Sequence, residues 1–237
     1  LISIPYTKIR MRERCIFMEE KWRKDRGEPR LVWREAEETM TLEGEAVLTF
    51  HLVWPELKGA GLGGRWISRY YARLAESWRR RWRREVYWRA CIQLAQCRAA
   101  ARPFTPWKGE LRGEKVLWKD GVLSLRLNGW ESRRDDKVNR VQWGDVWKVR
   151  EGAPCPPEEW LGRRWGRKKR LADQIIDKGE QRRSAGAWVP DEDWREKVRK
   201  NLPWRDACLT EEGIELAFPQ GTIAPMAEGT PTFVVEG

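Results

Sequence analysis

One stretch constrains this chain more than any other. From Arg65 to Ala100 the text reads RWISRYYARLAESWRRRWRREVYWRACIQLAQCRAA, with no proline or glycine until Pro103. A run of that length without a breaker is a helix of roughly 50 Å at ~1.5 Å per residue. Its apolar residues Ile67, Tyr70, Tyr71, Leu74, Trp78, Trp82 and Val86 recur every three or four positions, while Arg69, Arg73, Arg80, Arg83 and Arg84 take other faces. Such a helix is amphipathic and has to bury one side against something else; many Trp positions, including Trp78, Trp82, Trp130 and Trp147, fall where core residues should.

The flanking text supplies strands for it to cover. Leu31 to Leu42 and Glu45 to Trp54 read as two strands with Gly44 as the turn, and Pro55 is expected to stop the second. The glycine-rich segment Gly59 to Gly64 lacks the Lys-Ser/Thr of a phosphate loop and is expected to act as a hinge before the helix. Beyond Pro103 and Pro106, WKDGVLSLRLNGW reads as a hairpin turned by Asp120-Gly121, with Leu123, Leu125 and Leu127 facing a core. Val138 to Val149 continues the sheet. A helix is expected from near Glu158 to Ser184, weakened by Gly162 and Gly166, another after Pro190-Asp191, and short strands at the end. Residues 1–26 fit strand and helix equally. The expected fold is α+β: a mostly antiparallel sheet covered on one face by a long helix and shorter helices. Residues 1–44 form an N-terminal segment of extra strands or helix packed on a main domain of residues 45–237.

Charge and rare residues narrow the chemistry. Lys plus Arg number 47 against 36 Asp plus Glu, a formal net charge of 47 − 36 = +11. At 41% hydrophobic and 35% charged the chain is too apolar for a disordered polymer. No run approaches the ~18–20 apolar residues of a membrane span. With His51 as the single histidine, a site built on two or more histidines is excluded, and a neutral imidazole in or near the core is the expectation. Ser124 and Ser132 have no histidine partner and no GxSxG surrounds them. The acidic pairs Asp135/Asp136, Glu158/Glu159 and Asp191/Asp193 fall in turns or helix starts, where solvated caps are expected rather than a glycosidase pair. Cys15, Cys91, Cys97, Cys155 and Cys208 are odd in number and form no CxxC pair. That usage, with no signal-like leader text, points to reduced thiols in a cytoplasmic setting, or to an extracytoplasmic one if a leader was removed.

The last thirty residues carry a resemblance. Cys208-Leu209-Thr210-Glu211-Glu212-Gly213-Ile214-Glu215-Leu216-Ala217-Phe218, followed by Ile223-Ala224-Pro225-Met226-Ala227-Glu228-Gly229-Thr230-Pro231-Thr232-Phe233, resembles the C-terminal signature of the RsiV-like domain family. Asp120 to Ser124 and Gly144 to Gly152 resemble upstream strands of that family in order, and Trp66 to Ala100 its first helix. The resemblance implies a non-enzymatic binding or sensor-type module whose partner is a protein or glycan related to the cell wall; one relative recognises lysozyme. Lysozyme is basic, so the positive charge here disfavours it. The loop Glu131 to Asn139 is charged, where many relatives have a glycine-rich loop with Ala-His.

Two basic clusters, Arg79 to Arg84 around Trp82 and Arg163 to Arg170 around Trp165, set guanidinium groups beside indoles. This is the pairing that contacts phosphates and stacks bases. The alternative function is therefore an electrostatic nucleic-acid or anionic-polymer binder; i, i+4 pairing such as Glu76 with Arg80 would instead make a solvated face. The candidate ligand or polyanion contacts are Arg133, Arg134, Asp135 and Asp136 in the charged loop, and Arg163, Arg164, Trp165, Arg167 and Lys168 in the second cluster. No catalytic residue, metal ligand or cofactor site is assigned.

Overall fold

The computed structural model describes residues 29–133, 138–160 and 167–236. Strands β1 (Arg30–Leu42) and β2 (Glu45–Lys58) form a hairpin through Glu43 and Gly44, both with positive φ (53° and 83°). The long helix follows as α1 (Gly61–Arg81), a π-helical turn (Trp82–Val86) and α2 (Tyr87–Ala99). It returns the chain so that β3 (Trp107–Lys119) pairs parallel with β2 over Leu48 to Val53. Strand β4 (Val122–Ser132), turned by Asp120 (φ 51°) and Gly121 (φ 76°), and β5 (Val138–Lys148) extend the sheet antiparallel, and the short β6 (Ala153–Pro154) closes it. The order is β1-β2-β3-β4-β5-β6, with β2–β3 the one parallel pair, so the sheet is mostly antiparallel and the fold is α+β.

Helices α3 (Pro157–Trp160), α4 (Arg167–Ser184) and α5 (Trp194–Lys200) precede a second antiparallel sheet of β7 (Cys208–Leu209), β8 (Ile214–Ala217) and β9 (Thr232–Val235). Leu171 and Ile175 of α4, Trp194 and Val198 of α5, and Ile214, Leu216 and Phe233 of the small sheet share one core. Gly213, at φ 146°, starts β8; a Cβ there would lie 2.2 Å from the Val235 carbonyl, so the backbones meet too closely for any side chain.

Strand parity divides the large sheet. Leu123, Leu125 and Leu127 are buried beneath the long helix, as their alternation predicts. Trp82 is fully buried over Gly109, where a Cβ would come within 2.9 Å of the indole, and Trp78 lies over Gly129 at 2.7 Å. The core-facing positions 78, 82, 86, 90 and 94 are spaced by fours. On a regular helix each such step precesses about 40°, and the π turn, by adding a residue to one turn, takes back about 100° of the accumulated drift.

Two expectations change. Pro55 does not end β2, which runs on to Lys58; pairing with β3 stops at Val53, so Pro55 lies where that side of the strand has no ladder to break. Gly59 to Gly64 is no hinge: Gly61–Gly64 form the first turn of α1, and a Cβ on Gly63 would sit 2.2 Å from the Val149 carbonyl, so this end of the helix is wedged against the turn after β5.

The far side of the large sheet meets the small sheet through ions. Arg126 donates to both Glu215 carboxylate oxygens, with Nε to Oε1 at 2.6 Å, and to Glu114 at 3.1 Å, while Gln142 donates to Glu215 at 3.1 Å. The hydrogen bonds to Glu215 raise the Arg126 pKa further.

Gly109→Ala should lower stability by about 1–3 kcal/mol, because Trp82 has no space to yield, and chemical denaturation would measure it. Arg126→Met leaves Glu215 buried without its counter-charge and should cost about 3–5 kcal/mol; the double variant Arg126→Met/Glu215→Leu should recover most of that loss.

Candidate functional site

The same parity that buries Leu123, Leu125 and Leu127 turns Asn128, Trp130 and Ser132 to the far side, beside Gln142 and Arg140 of β5 and Lys108 of β3. With Thr230 of the C-terminal loop they line a groove of about 500 Å³, within the ~300–1,000 Å³ of small-ligand sites. One wall is held by Gln220, whose side-chain amide substitutes for a strand. Its Oε1 accepts from the Arg140 backbone N–H at 2.6 Å, and its Nε2 donates to the carbonyls of Val138 (2.9 Å) and Met226 (2.6 Å).

Trp130 is partly exposed in this groove, and its orientation is fixed. Its Nε1 donates to Glu110 at 2.7 Å, and Arg112 Nε donates to the other oxygen of Glu110 at 2.9 Å. Burial opposes ionisation of Glu110, but Trp130 and Arg112 together hold its carboxyl below the ordinary range. His51 pairs across the strands with Glu110, Nδ1 to Oε1 at 3.7 Å, and reaches Glu35 at 4.0 Å on its other nitrogen. Its side chain is 32% exposed. Of the expected positions in or near the core, His51 takes the latter: adjacent β2 residues face opposite ways, and His51 takes the polar side while Phe50 and Leu52 take the helix side. Trp130 is likewise no core residue, unlike Trp82 and Trp147.

The residues proposed from sequence do not converge. Arg133 lies at the hairpin end of β4, donating to Glu131 at 3.0 Å, with its Nε buried and without a partner among the described residues. Its neighbour Ser132 lines the groove. Lys168 stands over the Trp204 ring at 5.5 Å, and Arg167 opens α4. Trp204 leads within three residues to Ala207, whose backbone abuts Gly144, six residues along β5 from the hairpin end, or roughly 20 Å. Arg133 and Lys168 thus belong to different surfaces. Arg134, Asp135, Asp136, Arg163, Arg164 and Trp165 lie outside the described residues.

In the Arg79–Arg84 cluster, alternate members are neutralised. Arg79 bonds Glu76 at 3.1 Å, Arg81 pairs with the buried Glu131, which Trp82 Nε1 also reaches at 2.9 Å, and Arg83 forks onto Glu38 at 2.8 Å. Glu76 thus takes Arg79, not Arg80 as the i, i+4 spacing suggested. Arg80 and Arg84 are exposed and have no carboxylate partner among the described residues.

Other reactive groups are committed to structure. Cys91, Cys97, Cys155 and Cys208 form no disulfide; burial pushes the Cys208 thiol up to about 12, leaving no thiolate for nucleophilic chemistry. Asp145 accepts from Tyr71 Oη at 2.8 Å, and Trp147 Nε1 donates to that same Tyr71 oxygen at 2.7 Å. Asp145 keeps some accessible surface, yet dense packing pushes its carboxyl up to about 6. A depression of about 330 Å³ along α4 beside Lys178 and Arg182 is less suited to a ligand, since Arg182 is already bound to the Thr232 carbonyl (2.8 Å) and lies over Phe233 (4.5 Å). Among the described residues no cluster of His, Cys, Asp or Glu is arranged to hold a metal ion, and no helix is long and apolar enough to cross a membrane.

Two solved structures resemble the chain in their overall fold. The chain shares its fold with a DUF3298-family protein from Bacteroides fragilis, at TM-score 0.58 and 13% identity over 90% of this chain and 92% of that one. A DUF3298-family protein from Pseudomonas aeruginosa is similar at TM-score 0.53 and 11% identity, over 88% and 89% of the two chains. No family model and no curated protein matches the chain.

Asp145→Asn tests the buried carboxyl. The folded pKa of about 6 exceeds the ordinary 3.8, so proton binding favours the fold fully below about pH 3.8 and that advantage is lost as pH rises through 6. The neutral amide should therefore raise stability at pH 7.5 by about 2 kcal/mol, or ~4–8 °C in Tm. The gain should shrink to nothing near pH 4 in a series of thermal melts.

Proposed function

We propose that the chain is a non-enzymatic binding module whose groove takes a glycan. The observation that carries this reading is Trp130, an indole held in place by Glu110 and Arg112 within a groove whose lining includes the amides of Asn128 and Gln142, the hydroxyls of Ser132 and Thr230, and Lys108 and Arg140. A fixed aromatic face with a few placed hydrogen-bonding groups is the usual way to hold a neutral polar ring system. The resemblance of residues 208–235 to the RsiV-like signature supports the same reading, and those residues supply the groove wall through Gln220 and Thr230. Binding is favoured over hydrolysis because Glu110 and Glu215, which accept from the groove residues Trp130 and Gln142, are each held by an arginine rather than free to act as acid or base.

Calorimetric titration with soluble chito-oligosaccharides and muropeptides tests the reading. Binding should weaken about 10–100-fold in Trp130→Ala, the equivalent of one lost stacking contact with its hydrogen bonds, while thermal stability stays near that of the parent. Absence of binding by both ligand types, or binding unchanged in Trp130→Ala, would remove the groove as the site.

A further inference from the structure

The solvent side of the long helix carries a second, independent pattern. Leu62 and Trp66 stand out at one end, 68% and 49% exposed, and Trp88 and Ile92 at the other, each 59% exposed. Between them Arg69, Arg73, Arg80 and Arg84 are exposed. Arg69 lies over the Trp66 ring at 5.2 Å, and the other three have no carboxylate partner among the described residues. With Ser77, these positions follow one another by three or four residues from 62 to 92. On a regular helix Trp88 and Ile92 would drift about 100° off the line set by the earlier residues; the extra residue in the Trp82–Val86 π turn brings them back onto it. The ridge is therefore one straight seam of about 45 Å, apolar at both ends and cationic over its central ~22 Å.

We infer that this ridge docks an acidic amphipathic helix of a partner protein, with carboxylates opposite Arg69 to Arg84 and apolar side chains opposite the two ends. Three-four spacing along a straight line is the geometry in which one helix packs along another. Charge decides among occupants. A second copy would set arginine against arginine. Residues 1–28 carry eight Lys or Arg against five Asp or Glu, 8 − 5 = +3, the same sign as the ridge. A nucleic acid would use the arginines but leaves Leu62 and Ile92 without a partner. A bilayer needs a continuous apolar face, whereas here the apolar groups are separated by the arginines. An acidic helix with apolar ends satisfies every group on the seam.

The test uses the full chain and a synthetic, fluorescein-labelled peptide of about 30 residues, long enough to span the seam. Glutamates occupy its four central seam positions and leucines its end positions. Anisotropy at ~50 mM salt should show saturable binding, weakened about tenfold or more in Arg73→Glu/Arg80→Glu. Trp88→Ser should weaken it as well, with circular dichroism unchanged in both variants and Trp130→Ala without effect. No binding, or binding indifferent to the charge reversal, would overturn the assignment. So would a 24-base-pair DNA duplex, or a vesicle containing phosphatidylglycerol, that binds more tightly than the peptide.

Discussion

The placement of Trp82 governs much of the molecule. Its ring occupies the space that a side chain at Gly109 would fill, and its Nε1 is bonded to the buried carboxylate of Glu131. That carboxylate also receives Arg81 and Arg133, so the long helix is tied to β3 by packing and to β4 by charge. Fixing the helix this closely to the glycine-bearing stretch of the sheet decides which face is apolar. Everything of opposite parity, including His51, Glu110, Trp130 and Arg140, is then turned to the far side.

That far side is unequally covered. The small sheet takes the part around Ser124 and Gly144, where Leu209 N–H bonds Ser124 Oγ at 2.9 Å and Arg126 meets Glu215. A buried ion pair contributes little net stability compared with apolar packing, but it is intolerant of the wrong register, because a single displaced partner leaves a bare charge. It thus specifies how the C-terminal elements dock, and with them where Gln220 and Thr230 stand. The groove is a consequence of partial cover: it forms where the small sheet ends and the C-terminal loop returns to the hairpin end of β5.

Much of this organisation is legible in the sequence. The breaker-free run, the Asp120-Gly121 turn and the Leu123/Leu125/Leu127 alternation each fix an element through local stereochemistry, and each element is found. The groove was legible in part. Parity in β4 places Asn128, Trp130 and Ser132 together, but assigning Trp130 to the core followed from its residue type rather than its position. What parity could not supply was Gln220, which reaches Val138 and Arg140 across some eighty residues through its side chain. No local pattern encodes such a contact. The π turn had a local signal that the amphipathic reading passed over, since Trp78, Trp82, Val86, Ala90 and Leu94 are spaced too widely for one face of a regular helix.

The positive charge takes a different meaning once its geometry is known. Helix period splits the Arg79–Arg84 cluster: Arg79, Arg81 and Arg83 turn toward Glu76, Glu131 and Glu38, and Arg80 and Arg84 turn to solvent. A run that reads as one polycation is therefore two populations with different duties, and Arg81 and Arg83 of the paired one bind the helix to the sheet. The unpaired half gains its order from the same π turn that keeps the buried side in contact. An insertion that realigns one face of a helix necessarily realigns the opposite face, so the demand of the core for Val86, Ala90 and Leu94 also sets Trp88 and Ile92 in line with Arg73 and Arg80.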